Sequence, residues 1–138
     1  MWDKLYKPVD TLQKGLSASW LRNAVIRNNI ANIETPNFKA SDVEFEAFFA
    51  RALQEEPGFV GTRTHPGHRE IGSPAIDLES IHPKVFQRKD LSMRMDGNNV
   101  DIESENVKLA QNSLYYNTML EKMNSELRRL RMAINEGK

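Results

Sequence analysis

The residues of this chain whose types and spacing could do chemistry are a few histidines, some clustered charges and an unusual set of amides. His65-Pro66-Gly67-His68 sets two imidazoles three residues apart, with Glu70 nearby and His82 as a third candidate. Zinc needs several such ligands held on an ordered frame. The pair instead sits on a proline-glycine turn, which orients ligands poorly, so solvated loop histidines are expected and no metal is assigned. Cysteine is absent, which removes thiolate metal sites, disulfides and a cysteine nucleophile. There is no phosphate-cradling glycine loop, no Gly-x-Ser-x-Gly elbow and no zincin helix. Glu103 and Glu105 read as charges at a helix start. Arg128, Arg129 and Arg131 read as charges in the last turns of one, where the helix dipole favours them. No catalytic residue and no cofactor is expected.

The amides are the more informative chemistry. Asn28, Asn29 and Asn32 fall in the last turns of an amphipathic segment that closes at Thr35-Pro36-Asn37-Phe38. Asparagine is a mediocre helix former, so these side chains are expected to bond to the turn or to a neighbour. The residue before a proline leaves the helical region, which puts the helix stop near Glu34 or Thr35. Asn37 can take a left-handed backbone with little penalty. Phe38, just past the turn, is placed to fold back on an apolar surface.

The elements that must carry these residues follow from periodicity. Leu5, Val9, Leu12, Leu16, Ile26, Ile30 and Ile33 recur at alternating steps of four and three, with Ser19 and Asn23 filling the gaps. That is a heptad-type seam, with Pro8 in the first turn and a second flank at Ala18, Leu21 and Val25. At the other end Asp101 is a helix cap. A second seam follows through Leu109, Ser113, Tyr116, Leu120, Met123, Leu127, Leu130 and Ile134, over a helix from about Ile102 to Asn135, stopped by Gly137. Between them, a short helix is expected over Asp42 to Leu53, capped by Ser41 or Asp42. Glu55 to Pro83 is broken by prolines and glycines and reads as an irregular insert. Val85 to Arg88 and Leu91 to Met95, flanking Lys89-Asp90, read as a short β-hairpin.

The expected fold is therefore mainly α. Long N- and C-terminal helices pack as an antiparallel α-hairpin or coiled coil, with the irregular insert and the β-hairpin between them. The chain of 138 residues suits one domain, divided into 1–40, 41–95 and 96–138. Lys+Arg 19 balances Asp+Glu 19, which argues against non-specific nucleic-acid binding and suits self-association. No run of about 18 apolar residues is present to insert in a membrane. The first residues lack the apolar core of a signal peptide, so the protein is expected either to stay in the cytoplasm or to be exported without one.

The two ends together resemble a known family. Asn29-Ile30-Ala31-Asn32, followed by Thr35-Pro36-Asn37-Phe38-Lys39, resembles the N-terminal signature of bacterial flagellar rod, hook and related axial proteins. Asp96-Gly97-Asn98-Asn99-Val100-Asp101-Ile102-Glu103, then Leu109-Ala110-Gln111-Asn112 and Tyr116-Asn117, is similar to the C-terminal half of its proximal-rod members. The resemblance spans about Leu5 to Ala40 and Met95 to Lys138. It departs at Asn37, where the family usually has glycine, and at Ile33-Glu34, which replaces a small or polar pair.

The resemblance implies a structural subunit of the proximal rod, assembling helically through its terminal helices to transmit torque across the periplasm. It implies export through the flagellar type III apparatus without a cleaved signal peptide. It also implies partners: the rod proteins FlgC, FlgF and FlgG, the adaptor FliE, the MS-ring protein and further copies of this chain. The implied assembly motif is Asn29, Asn32, Thr35, Pro36, Asn37 and Phe38. The helix interface is expected at Leu12, Leu16, Ile26, Ile30, Ile33, Leu109, Tyr116, Leu120, Met123, Leu127, Leu130 and Ile134. The competing reading is a cytoplasmic coiled-coil adaptor or secretion chaperone, which would share the seams.

Overall fold

Residues 2–45, 50, 82–89 and 94–136 are described in the computed structural model. The chain divides into two compact units, Met1–Val43 with Pro83–Lys138, and Glu44–His82. Nearly all the described residues belong to the first. His65, His68, Gly137 and most of the expected short helix and insert lie outside the described residues.

Helix α1 runs Trp2–Ala31 and helix α2 runs Ile102–Glu136, about 45 and about 52 Å at the standard rise. The start of α2 is as expected. Asp101 Oδ1 accepts from the backbone N–H of Glu103 at 3.0 Å and of Ser104 at 3.4 Å, the geometry of an N-cap. Two features of α1 differ from expectation. Pro8 lies inside the helix, nearly two turns beyond its start, because the helix begins earlier at Trp2. Its far end comes at Ala31, before Glu34. The chain there tightens into turns through Ile33 N to Ile30 O at 3.3 Å and Thr35 N to Asn32 O at 3.1 Å, since the following segment supplies other donors for its carbonyls.

The two helices pack together as an antiparallel pair. Ser19 meets Asn112, Asn29 meets Glu105, and Gly15 lies against Met119, so numbers rise on one helix as they fall on the other. The covered positions along α2 include Glu105, Leu109, Asn112, Tyr116, Met119, Met123, Glu126 and Leu130. This again steps by four and three, but every second position sits one residue before the expected one. Ser113 is exposed, as are Leu120, Leu127 and Ile134, the last two at 44% and 64%. The cause is at the loop end, where polar pairs between Asn112 and Ser19 and between Glu105 and Asn29 set the rotation of α2. A rigid helix carries that rotation along its length.

Another correction concerns the last turn of α2, which holds no basic residue. The dipole acts only over the final turn, so it does not explain Arg128, Arg129 and Arg131. Arg129 instead pairs with Glu126 at 3.2 Å, and Lys122 reaches the same carboxylate at 3.4 Å.

Strands β1 (Ser41–Glu44) and β2 (Lys84–Gln87) form a two-stranded antiparallel sheet. Ser41 and Asp42 therefore start a strand and do not cap a helix. Val85 and Phe86 are in a strand as expected, but its partner is β1. Of the expected second hairpin strand, Leu91 to Met93 lie outside the described residues and Arg94 to Met95 are bend and turn. Arg88 N donates to Ala40 O at 2.8 Å, extending the pairing by one step. The apolar core of this unit is small: Ala18, Ile26, Ala40, Val43 and Val100.

The helices approach closely at Gly15, where a Cβ would stand 2.8 Å from Met119 Sδ. Gly15→Leu should force the pair apart and cost about 1–3 kcal/mol, read as a lower melting temperature by circular dichroism. Gly15→Ala, which gains helix propensity and asks only a flexible thioether to move, should melt within a few degrees of the parent.

Candidate assembly joint

At the loop end of the hairpin, five polar side chains are buried: Ser19, Asn29, Asn98, Glu105 and Asn112. They equal the buried apolar residues of this unit in number, and each has identifiable partners. That is the condition under which burying polar groups is not destabilising.

Asn29 uses its whole amide. Its Oδ1 accepts from Ser41 N at 2.9 Å, while Nδ2 donates to Ser41 O at 2.8 Å and to Glu105 Oε2 at 2.9 Å. The side chain thus pairs with the backbone of Ser41 as a strand would, and keeps one hydrogen for the carboxylate of the opposite helix. Aspartate could supply neither donor, and leucine no polar partner at all.

Glu105 is fully buried. Besides Asn29, it accepts from Arg88 Nη2 at 3.1 Å and Lys108 Nζ at 3.0 Å through Oε1. Lys108 also reaches Asp42 at 3.6 Å. One carboxylate on α2 therefore gathers α1, the start of β1 and the end of β2. Removing such a charge from water costs several kcal/mol, which its bonds must offset. Arg88 Nε is buried without a partner, so the arginine's own bonding is incomplete.

Asn112 and Ser19 form a reciprocal pair: Ser19 Oγ donates to Asn112 Oδ1 at 2.8 Å, and Asn112 Nδ2 to Ser19 O at 2.9 Å. Asn98 holds the turn that follows α1. Its Nδ2 lies 2.9 Å from Asn32 O, 2.9 Å from Ile33 O and 3.0 Å from Thr35 O. These carbonyls lie in the turn past Ala31, and one amide from the far side of the chain bridges all three. Arg94 Nη1 adds a second donor to Ile33 O at 3.1 Å. Asn99 does similar work beside the sheet, with Oδ1 accepting from Ala40 N at 2.7 Å.

The two turns meet at Asn37 and Gly97. Asn37 has φ 59°, as its place after Pro36 suggested, and Gly97 has φ 74°. Asn37 N donates to Asp96 O at 2.8 Å, and Lys39 Nζ to Gly97 O at 2.6 Å. A Cβ on Gly97 would stand 2.7 Å from Asn37 Oδ1, so the close approach depends on glycine as well as on φ. The N–H of Asn98, and then Arg94, hold the Asp96 carboxyl below the usual aspartate range.

The structure divides the expected motif. Asn29 is at the centre of the joint. Asn32 stays local, donating to Asn28 O at 2.8 Å and accepting from Thr35 Oγ1 at 3.2 Å. Thr35, Pro36 and Asn37 are exposed and Phe38 is half-buried. Of the interface set, Ile26 is buried. Leu12, Leu16, Ile30, Ile33, Leu109, Tyr116, Met123 and Leu130 are partly covered. Glu105 was missed as a centre because acidic residues suit any helix start. The signal was its place four residues before Leu109, on the inward seam. Arg88 carried no signal, since its role depends on which strand β2 meets. His82 is exposed, and among the described residues no three His, Asp or Glu share a geometry for a metal ion.

No protein-family model matches the chain. Curated relatives do match along most of its length. The flagellar basal body rod protein FlgB of Bacillus subtilis (strain 168) is 33% identical over 130 residues, 94% of this chain and 95% of that protein. FlgB of Aeromonas hydrophila is 36% identical over 122 residues, 88% of each chain. FlgB of Proteus mirabilis (strain HI4320) is 30% identical over 141 residues, covering 99% of this chain and 100% of that protein.

Glu105→Ala should leave the donors of Arg88, Lys108 and Asn29 without their acceptor and cost about 3 kcal/mol, measured by urea unfolding. Glu105→Gln should lose less, since it keeps one acceptor. Asp96 gives a pH signature. Its folded pKa is lowered, so its stabilisation is present above the ordinary value of 3.8 and lost as pH falls through the lowered one. Asp96→Asn should flatten that acid limb of a stability profile.

Proposed function

The chain belongs to the FlgB family of flagellar basal body rod proteins, and from that membership we propose that it is a rod subunit that assembles helically through its two terminal helices and so transmits torque. Its role is structural. The relatives give no support to a cytoplasmic adaptor or chaperone. No helix among the described residues is long and apolar enough to cross a membrane. A place in the periplasm-spanning part of the rod, and export without a cleaved signal peptide, belong to the same proposal.

One observation supports the mechanism best. The five buried polar side chains of the joint find partners inside the chain, while α2 exposes Leu114, Tyr115, Leu127, Met132 and Ile134 at 44–69%. Apolar residues of this size in open water favour association. The polar joint then serves as the ordering device. Asn29 and the Thr35-Pro36-Asn37-Phe38 turn set the angle at which the chain leaves α1, and Leu120, Leu127 and Ile134 meet neighbouring subunits. Those neighbours are other copies of this chain, the rod proteins FlgC, FlgF and FlgG, FliE and the MS-ring protein.

The absence of native cysteine makes a direct test available. Leu120→Cys and Leu127→Cys, introduced singly, should give cross-linked adducts to neighbouring subunits in purified basal bodies, whereas a cysteine at buried Ala18 should not. Basal bodies that lack this protein, or adducts no more frequent at Leu120 than at Ala18, would overturn the assembly mechanism.

A further inference from the structure

The pair Asp96-Gly97 combines a reactive sequence with a folded geometry that opposes the reaction. Glycine leaves its backbone nitrogen unshielded by a Cβ, so an aspartate before it is open to attack from that nitrogen. The Gly97 nitrogen bonds to Asp96 Cγ and its proton passes to solvent. The carboxyl hydroxyl leaves as water, and a five-membered succinimide forms. Water then opens either carbonyl, restoring aspartate or giving isoaspartate, in which the main chain runs through Cβ. No atom is gained or lost overall, and water is the only co-reactant.

Each group this chemistry needs is engaged in the joint. Gly97 N donates to Arg94 O at 3.1 Å. The two carboxylate oxygens accept from Asn98 N at 3.1 Å and Arg94 Nη2 at 2.8 Å, and the Asp96 carbonyl accepts from Asn37 N at 2.8 Å. Cyclisation needs a protonated carboxyl, and the same contacts favour the ionised form. We propose that Asp96-Gly97 is a site of spontaneous aspartate isomerisation, that the closed joint suppresses it, and that a chain isomerised before folding cannot close the joint.

The second half follows from the tightness of the contact. Isoaspartate adds one methylene between residues 96 and 97 and turns the carbonyl that receives Asn37 N into a free carboxylate. Gly97 already lies so close to Asn37 that a Cβ would collide with it. The added length displaces Asn98, whose amide holds three carbonyls of the turn after α1.

The test ages the full chain in mildly acidic buffer at 37 °C and measures isoaspartate at Asp96 by electron-transfer mass spectrometry, in native buffer and in concentrated urea. In the native chain reaction requires local opening, and each 1.4 kcal/mol of opening slows it about tenfold. Isomerisation should therefore be at least about tenfold slower in native buffer than in urea. Arg94→Ala should speed it in native buffer and leave the urea rate unchanged, which separates loss of protection from a change in intrinsic reactivity. Equal rates for the native and unfolded chain would overturn the protection. Chains aged in urea and then refolded should melt below unaged chains carried through the same refolding, and identical melting of an isomerised fraction would overturn the claim that it cannot close.

Discussion

The buried carboxylate of Glu105 is the constraint on which the rest of this unit depends. A charge with no solvent must find donors or destabilise the fold. It finds them on three different segments: Asn29 of α1, Arg88 after β2 and Lys108 on its own helix. Because these donors are far apart in sequence, the need is met only when the helices and the strand pair are in place together. The requirement also sets a rotation. With Glu105 inward, Asn112, Met119 and Glu126 follow it inward at heptad spacing, and Leu120, Leu127 and Ile134 are turned outward.

The consequence is a division of labour along the hairpin. At the loop end, the buried polar side chains are held by several directional bonds each, with geometry that tolerates few alternatives. Away from it, among the described residues of α2 beyond Met119, none is buried. A pair of helices fixed by polar contacts at one end and apolar on its outer face suits a subunit of an assembly. The directional contacts determine where the helices point, and the non-directional burial of Leu127 and Ile134 is left for association.

The turns obey the same logic. Local sequence ties the helix stop to Pro36, near Glu34 or Thr35, yet α1 ends earlier, at Ala31. What holds the turn after that stop is Asn98, whose amide bonds to the carbonyls of Asn32, Ile33 and Thr35, together with the facing left-handed residues Asn37 and Gly97. An asparagine can stand at position 37 because its φ of 59° is one that amide residues tolerate. At Gly97 the neighbour's side chain leaves no room for a Cβ, so a left-handed φ is not the only demand there.

Two long helices, their antiparallel pairing, the cap at Asp101 and the left-handed turn at Asn37 were legible in the sequence, because each rests on local spacing and local backbone preference. The family signature was legible for the same reason, being two contiguous motifs in order. Tertiary structure alone decided the rest. Two heptad registers on α2 differ by one residue at alternate positions, and apolar content favoured the one through Leu120, Leu127 and Ile134. Asn29 and Ser19 selected the other, since hydrogen bonds between helices depend on partners that no single helix contains. Likewise Ser41 and Asp42 read in the sequence as the cap and start of a short helix, but the structure makes Ser41–Glu44 a strand. The strand forms because Asn29 and Arg88 supplied bonds to its backbone and to Ala40 just before it, and the energy of those bonds exists only after the chain has folded back on itself.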